Sequence, residues 1–163
     1  MNILDAISGI TYPEKTILIP TDFNSLNRIG EIELEIAALK NGEDNPELIK
    51  EQAELILKVK DTSWEFTIRG LPKSVIDSIG KSKRAKIKDV ATQNQEFVRE
   101  LIVTSIVKVK NNADEEAEFD RDSLGKFLDA IPEDVYRRFS DTTDQLSGDA
   151  LRYEYAVTDP NFS

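Results

Sequence analysis

Ser78, Lys81 and Lys83 are the one place in this chain where a hydroxyl and amines crowd together as a nucleophile and its base would. The rest of the machinery is missing. The sequence contains no His and no Cys, which removes the commonest general base, the commonest metal ligand and any thiolate. Ser-His and Cys-His nucleophile systems and zinc sites are thereby excluded. Asp114, Glu115, Glu116, Glu118, Asp120 and Asp122 bring acids together as a cation loop would. Their spacing lacks the central glycine and the correctly placed terminal Glu of a calcium loop, so solvation and helix capping account for them. The glycines stand singly, so no phosphate-cradling loop forms. The expectation is a non-enzymatic protein with no cofactor and no metal.

A length of 163 residues suits one domain with appendages, and 39% hydrophobic residues suffice for a core. The net charge of -10 disfavours direct binding to nucleic acid or to anionic membrane, both polyanions. It favours solubility. No apolar run approaches the roughly 20 residues that span a bilayer. Met1-Asn2-Ile3-Leu4-Asp5 lacks the basic and apolar regions of a secretion signal, and the absence of Cys suits a reducing compartment. One basic stretch stands out, Lys81-Ser82-Lys83-Arg84-Ala85-Lys86-Ile87-Lys88. It reads either as a solvated loop or as a contact for phosphate or acidic groups; no aromatic interleaves with its charges.

The elements that hold these residues read as follows. Residues 1–12 form an arm with Ile3, Leu4, Ile7 and Ile10 at roughly helical spacing, expected to dock by its isoleucines. Thr16 to Pro20 is a short β-branched strand. Phe23, Leu26, Ile29, Ile32, Ile36 and Leu39 predict a helix that Asn41-Gly42 stops. Asp44, with Glu47 three residues on, predicts the cap of a second helix carrying Leu48, Ile49, Gln52, Leu55, Ile56 and Val59. The two make a helical hairpin over about 23–60. Ser63-Trp64-Glu65-Phe66-Thr67-Ile68-Arg69 follows as a strand in which Trp64, Phe66 and Ile68 alternate with polar residues. A hairpin returns the chain to its start, so the two strands are expected to pair, with room for a third strand.

Beyond Pro72, Val75, Ile76 and Ile79 predict a short helix ending at Gly80. Asp89 to Lys110 reads as the central core helix, with Phe97 and Leu101 on its apolar face and a β-branched end at Val107 to Lys110 that can turn extended. Asp120 caps a helix over Arg121 to Ala130, and Pro132 opens the last helix, which Gly148 ends. Residues 148–163 form a tail in which Leu151, Tyr153, Tyr155 and Val157 alternate as in a strand. The tail either pairs on the sheet edge or is offered to a partner. The expected architecture is α+β and mostly helical. A small antiparallel sheet carries the inserted hairpin and precedes a C-terminal helical bundle, all within one domain over 13–147. Trp64, Phe66, Ile68, Phe97 and Leu101 are its core markers. Leu151, Tyr153, Tyr155 and Phe162 are its candidate partner contacts.

In that order the segments resemble a known family. Pro13-Glu14-Lys15-Thr16-Ile17-Leu18-Ile19-Pro20 looks like the opening strand, and Trp64-Glu65-Phe66-Thr67-Ile68-Arg69-Gly70-Leu71-Pro72 resembles the F-x-x-R-G-L-P stretch, of the tail assembly chaperones of long-tailed actinobacteriophages. Phe97 to Val107, Phe119-Asp120-Arg121-Asp122 and Ile131 to Arg138 resemble that family's later helices. The arm and the basic stretch depart from its pattern. The resemblance implies a protein of the host cytoplasm that binds the helical tape measure protein, keeps it soluble while the tail tube polymerises, and then leaves. It implies contacts with tail-tube protein and self-association as further options, and a shorter product of a frameshifted pair. A structural virion component, such as a tail or head-tail connector subunit, is the alternative. An acidic mimic of DNA ranks last, because 21 basic residues are mixed among the acids.

Overall fold

A computed structural model describes the backbone of residues 2–158 and the side chains of residues 2–147. Asn2 and Asp5 form a capping box that closes α1 (Ile3–Ile7), a single turn with no buried residue. The arm therefore does not dock: Ile3, Leu4, Ile7 and Ile10 are all exposed. Five residues bonded to their own caps leave nothing to hold them against the rest of the chain.

The chain then runs through β1 (Glu14–Ile19), α2 (Phe23–Ala37), α3 (Pro46–Thr62) and β2 (Trp64–Arg69). It continues with α4 (Lys73–Lys86), α5 (Val90–Ser105), β3 (Ile106–Lys110), α6 (Arg121–Ala130) and α7 (Glu133–Thr158). The strands form a three-stranded antiparallel sheet in the order β1-β2-β3. The fold is mostly helical α+β, as the periodicities predict. Between β1 and β2, Thr16 and Thr67 share a 3.1 Å hydroxyl contact, Arg69 Nε donates to Glu14 Oε1 at 2.7 Å, and the Gly70 N–H donates to the Pro13 carbonyl at 2.9 Å. Phe66 and Ile68 are buried on one face of β2, while Trp64 at its start is half-buried.

The third strand lies where the core helix was expected to continue. That helix ends at Ser105, whose hydroxyl bonds back to the Ile102 carbonyl at 2.9 Å, and Ile106 is at once its C-cap and the first residue of β3. β-branched residues on both sides of Ser105 hide the switch, because they suit a strand and are tolerated by a buried helix.

Two compact units divide the chain: Met1–Ile17, Thr67–Lys108 and Glu118–Ser163 form one, and Leu18–Phe66 with Val109–Ala117 the other. The division falls within the residue range of each strand. In the first unit α5 is the hub, packing on α4, α6 and α7. Ile68, Ile102, Leu124, Leu128, Val135 and Phe139 are buried there. Phe139 meets Phe127 edge-on at 6.2 Å between ring centres. Leu101 is buried and Phe97 half-buried.

Two helices run further than expected. Helix α4 passes through Gly80 and takes the basic stretch with it. Gly80 is buried, with the Phe97 ring 3.6 Å from where its β-carbon would be, so packing on α5 carries the helix past the glycine. Lys83, Arg84 and Lys86 then occupy its last turn, where the helix dipole favours cations. Helix α7 likewise continues through Gly148 to Thr158, and no strand forms over Leu151, Tyr153, Tyr155 and Val157. An isolated glycine costs a helix only about 1 kcal/mol relative to alanine, which flanking turns can offset.

Candidate interaction surface

In the second unit the dominant feature is the hairpin of α2 and α3. Asp22 caps α2 by accepting from the Ser25 N–H at 3.0 Å and pairs with Lys58 at 3.2 Å. Thr21 Oγ1 donates to the Thr62 carbonyl at 2.6 Å, tying the two ends together. Asn45, not Asp44, caps α3: its side chain accepts from the Leu48 N–H at 3.2 Å, and Pro46 opens the helix. Proline keeps the residue before it out of the helical region, and Asn45, at φ -132° and ψ 88°, lies outside that region. Between the helices the chain leaves α2 at Ala37 and turns at Gly42, whose φ of 84° favours glycine.

Ser25, Ile29, Ile32 and Ile36 on α2, and Leu48, Gln52, Leu55 and Val59 on α3, share one spacing of four, three and four residues. That is the repeat of an antiparallel coiled-coil seam. Ser25 and Ile32 are buried, and the other six are half-buried. The sequence placed Ile49 and Ile56 on this same face. The structure takes them off it: Ile49 is 52% and Ile56 38% exposed, with Leu57 at 60% and Leu34 at 73%.

The two flanks of the seam differ in chemistry. One carries Arg28, whose guanidinium donates to Glu51 at 2.8 and 3.2 Å, to Glu35 at 2.8 Å and to Glu31 at 3.3 Å. Arg28 holds the Glu51 carboxyl below the usual carboxylate range, and its own pKa rises because three carboxylates surround it. Coiled-coil geometry sets Leu26, Gly30, Glu33 and Ala37 on the opposite flank of α2, and Ile49, Ala53, Ile56 and Lys60 on that of α3. Missed in the sequence were the register of the seam and the Arg28–Glu51 pair. The signal was there in the separate four-three spacing of Ile49, Ala53 and Ile56.

The reactive candidates find bland settings. Ser78 is exposed on α4, and among the described residues no hydrogen bond joins it to Lys81 or Lys83. Acids of the 114–122 segment are used one at a time: Asp114 pairs with Lys110, Glu115 accepts from Asn111, Asp120 caps α6 and Asp122 pairs with Lys126. No group of acids able to hold a metal exists among the described residues. An open groove beside α5 contains Arg99, which donates to both Asp129 oxygens and, at 2.8 Å, to the Gly125 carbonyl. That arginine staples α5 to α6 and depresses the Asp129 pKa. Tyr136 in the same groove is pushed up, mainly by burial.

Of the expected partner contacts, Leu151, Tyr153 and Tyr155 lie in the last turns of α7, and Phe162 lies outside the described residues. No helix among the described residues is long and apolar enough to cross a membrane. No protein family, curated protein or solved structure matches this chain.

Proposed function

We propose that this chain is a non-enzymatic tail assembly chaperone of a long-tailed bacteriophage, acting in the host cytoplasm on the tape measure protein. The ordered resemblance of Pro13–Pro20, Trp64–Pro72, Phe97–Val107, Phe119–Asp122 and Ile131–Arg138 to that family motivates the reading. The observation that carries it is the hairpin. Two amphipathic helices with a half-buried seam leave Leu34, Ile49, Ile56 and Leu57 uncovered in a chain of charge -10. Apolar helical surface on a strongly solvated protein suits a holder of a long, partly apolar helix. Leu151, Tyr153, Tyr155 and Phe162 are proposed as further contacts.

Co-expression with the tape measure protein of the same phage tests this. The expected result is that the tape measure protein stays in the soluble fraction and co-purifies with this chain, while mass spectrometry of mature virions finds none of the chain. Absence of binding, with the chain present in virions at stoichiometric amounts, would overturn the reading in favour of a structural tail or connector subunit.

A further inference from the structure

We propose that the apolar flank of α3 is a self-association surface that takes the same flank of a second copy, the two α3 helices running antiparallel and crossing at Ala53. Helix α3 carries two apolar stripes. Leu48, Gln52, Leu55 and Val59 face α2, while Ile49, Ala53 and Ile56 lie about 100° further round at 100° per residue. A helix that buries one stripe in a hairpin and leaves a second at roughly a right angle has the sequence of a four-helix-bundle member, in which each helix touches two neighbours. The hairpin supplies one neighbour. Ile49 and Ile56 stand 52% and 38% exposed where the other belongs.

Charge identifies the occupant. Between Pro46 and Lys60 the second stripe carries no charge; Lys60 closes it at one end, and Lys50 and Glu54, both exposed, lie along one edge. Antiparallel pairing about Ala53 brings Lys50 of one copy beside Glu54 of the other. Two-fold symmetry makes that pair twice. Parallel pairing would set Lys50 on Lys50 and Glu54 on Glu54. Ala53 at the crossing lets the backbones approach, and Ile49 then meets Ile56 and Leu57 of the other copy. The surface complements itself in one orientation only. A second copy and a tape measure helix would compete for Ile49, Ile56 and Leu57, so the dimer is the state of the chain free of that partner.

Sedimentation equilibrium of the full chain at physiological salt, from about 5 to 500 µM, reads the association directly. The expected result is a monomer–dimer equilibrium. Ile56→Glu should weaken it at least about tenfold by burying a carboxylate, with an unchanged thermal melt at concentrations where the chain is monomeric, because Ile56 is exposed in the single chain. Lys50→Glu and Glu54→Lys should each weaken it about threefold to tenfold, and the double exchange should restore it. A chain that stays monomeric throughout overturns the proposal, as does a dimer indifferent to Ile56→Glu. Loss of the dimer on deleting residues 2–12, with Ile56→Glu silent, would assign the contact to the arm instead. A monomer whose Ile56→Glu variant loses only tape measure binding would assign the stripe to that partner.

Discussion

A β-carbon on Gly70 would lie 3.1 Å from the Leu146 carbonyl oxygen and 3.3 Å from the Pro13 ring. Neither is the free end of a flexible side chain, so an added methyl has to move backbone. Gly30 is the opposite case: it sits inside α2 with nothing within 4 Å of its β-carbon position. In sequence both are lone glycines, one ending a strand and the other interrupting a helix. Only packing separates them. Gly70→Ala should therefore cost about 1–3 kcal/mol through overpacking, whereas Gly30→Ala should stabilise the protein by about 0.5–1 kcal/mol through helix propensity. Urea unfolding of the two variants checks the pair. Equal midpoints would mean that the close approach at Gly70 is relieved at no cost. The reactive candidates are decided at the same scale. Ser78 with Lys81 and Lys83, and the acids near Asp120, had suggestive residue types in sequence; Ser78 stands exposed, while Asp114 and Asp122 pair with lysines and Asp120 caps α6.

The hairpin is the element whose stability depends most plainly on charge. Glu51 is held below its ordinary pKa by Arg28, and Asp22 by the Ser25 N–H and hydroxyl before Lys58. A carboxylate with a depressed folded pKa contributes stability that is fully present above its unfolded pKa and is lost as pH falls through the folded one. The loss therefore sets in below about pH 4 and deepens with further acid. Thermal melts followed by far-UV circular dichroism from pH 7 to pH 3 should show the melting temperature falling at the acid end. Glu51→Gln should have a lower melting temperature at pH 7 and a shallower acid dependence, because its contribution is already gone. Identical profiles would show that Arg28–Glu51 adds nothing. Elements of this kind were legible wherever periodicity ran between strong signals: the two hairpin helices, β2 and α6 under its Asp120 cap. They were not legible where a local stop competed with packing. Gly80 and Gly148 looked like ends and are passed through, whereas Ser105 looked like helix interior and is an end. Asn45 took the cap from Asp44 because Pro46 fixes its neighbour's backbone. The two stripes of α3 merged into one apolar face in sequence, because Leu48 and Ile49, like Leu55 and Ile56, are adjacent and a single helix face blurs them.

At the scale of the whole chain, the division into two units escapes the sequence because its boundary cuts all three strands and falls at no linker. Net charge, by contrast, is fully legible, and it bears on association. Two bodies of charge -10 about 35 Å apart repel by roughly 12 kcal/mol in water before screening. The screening length is about 30 Å at 0.01 M salt and about 8 Å at 0.15 M, so nearly all of this repulsion is gone at physiological salt. The paired charges at the rim of the α3 stripe are screened too, but exposed pairs contribute less than about 1 kcal/mol each. Repulsion between the two bodies therefore outweighs attraction at the rim. Self-association through α3 should strengthen at least about tenfold between 0.01 and 0.15 M salt, and then level off, because what remains is apolar burial. At pH 5, close to the isoelectric point of about 4.6 and above the range where the hairpin loses its carboxylates, the salt effect should shrink, since little net charge is left to screen. Sedimentation at two salts and two pH values measures all four states. If salt instead weakens the dimer at pH 7, ion pairs dominate the contact, and the apolar stripe is not what holds the copies together.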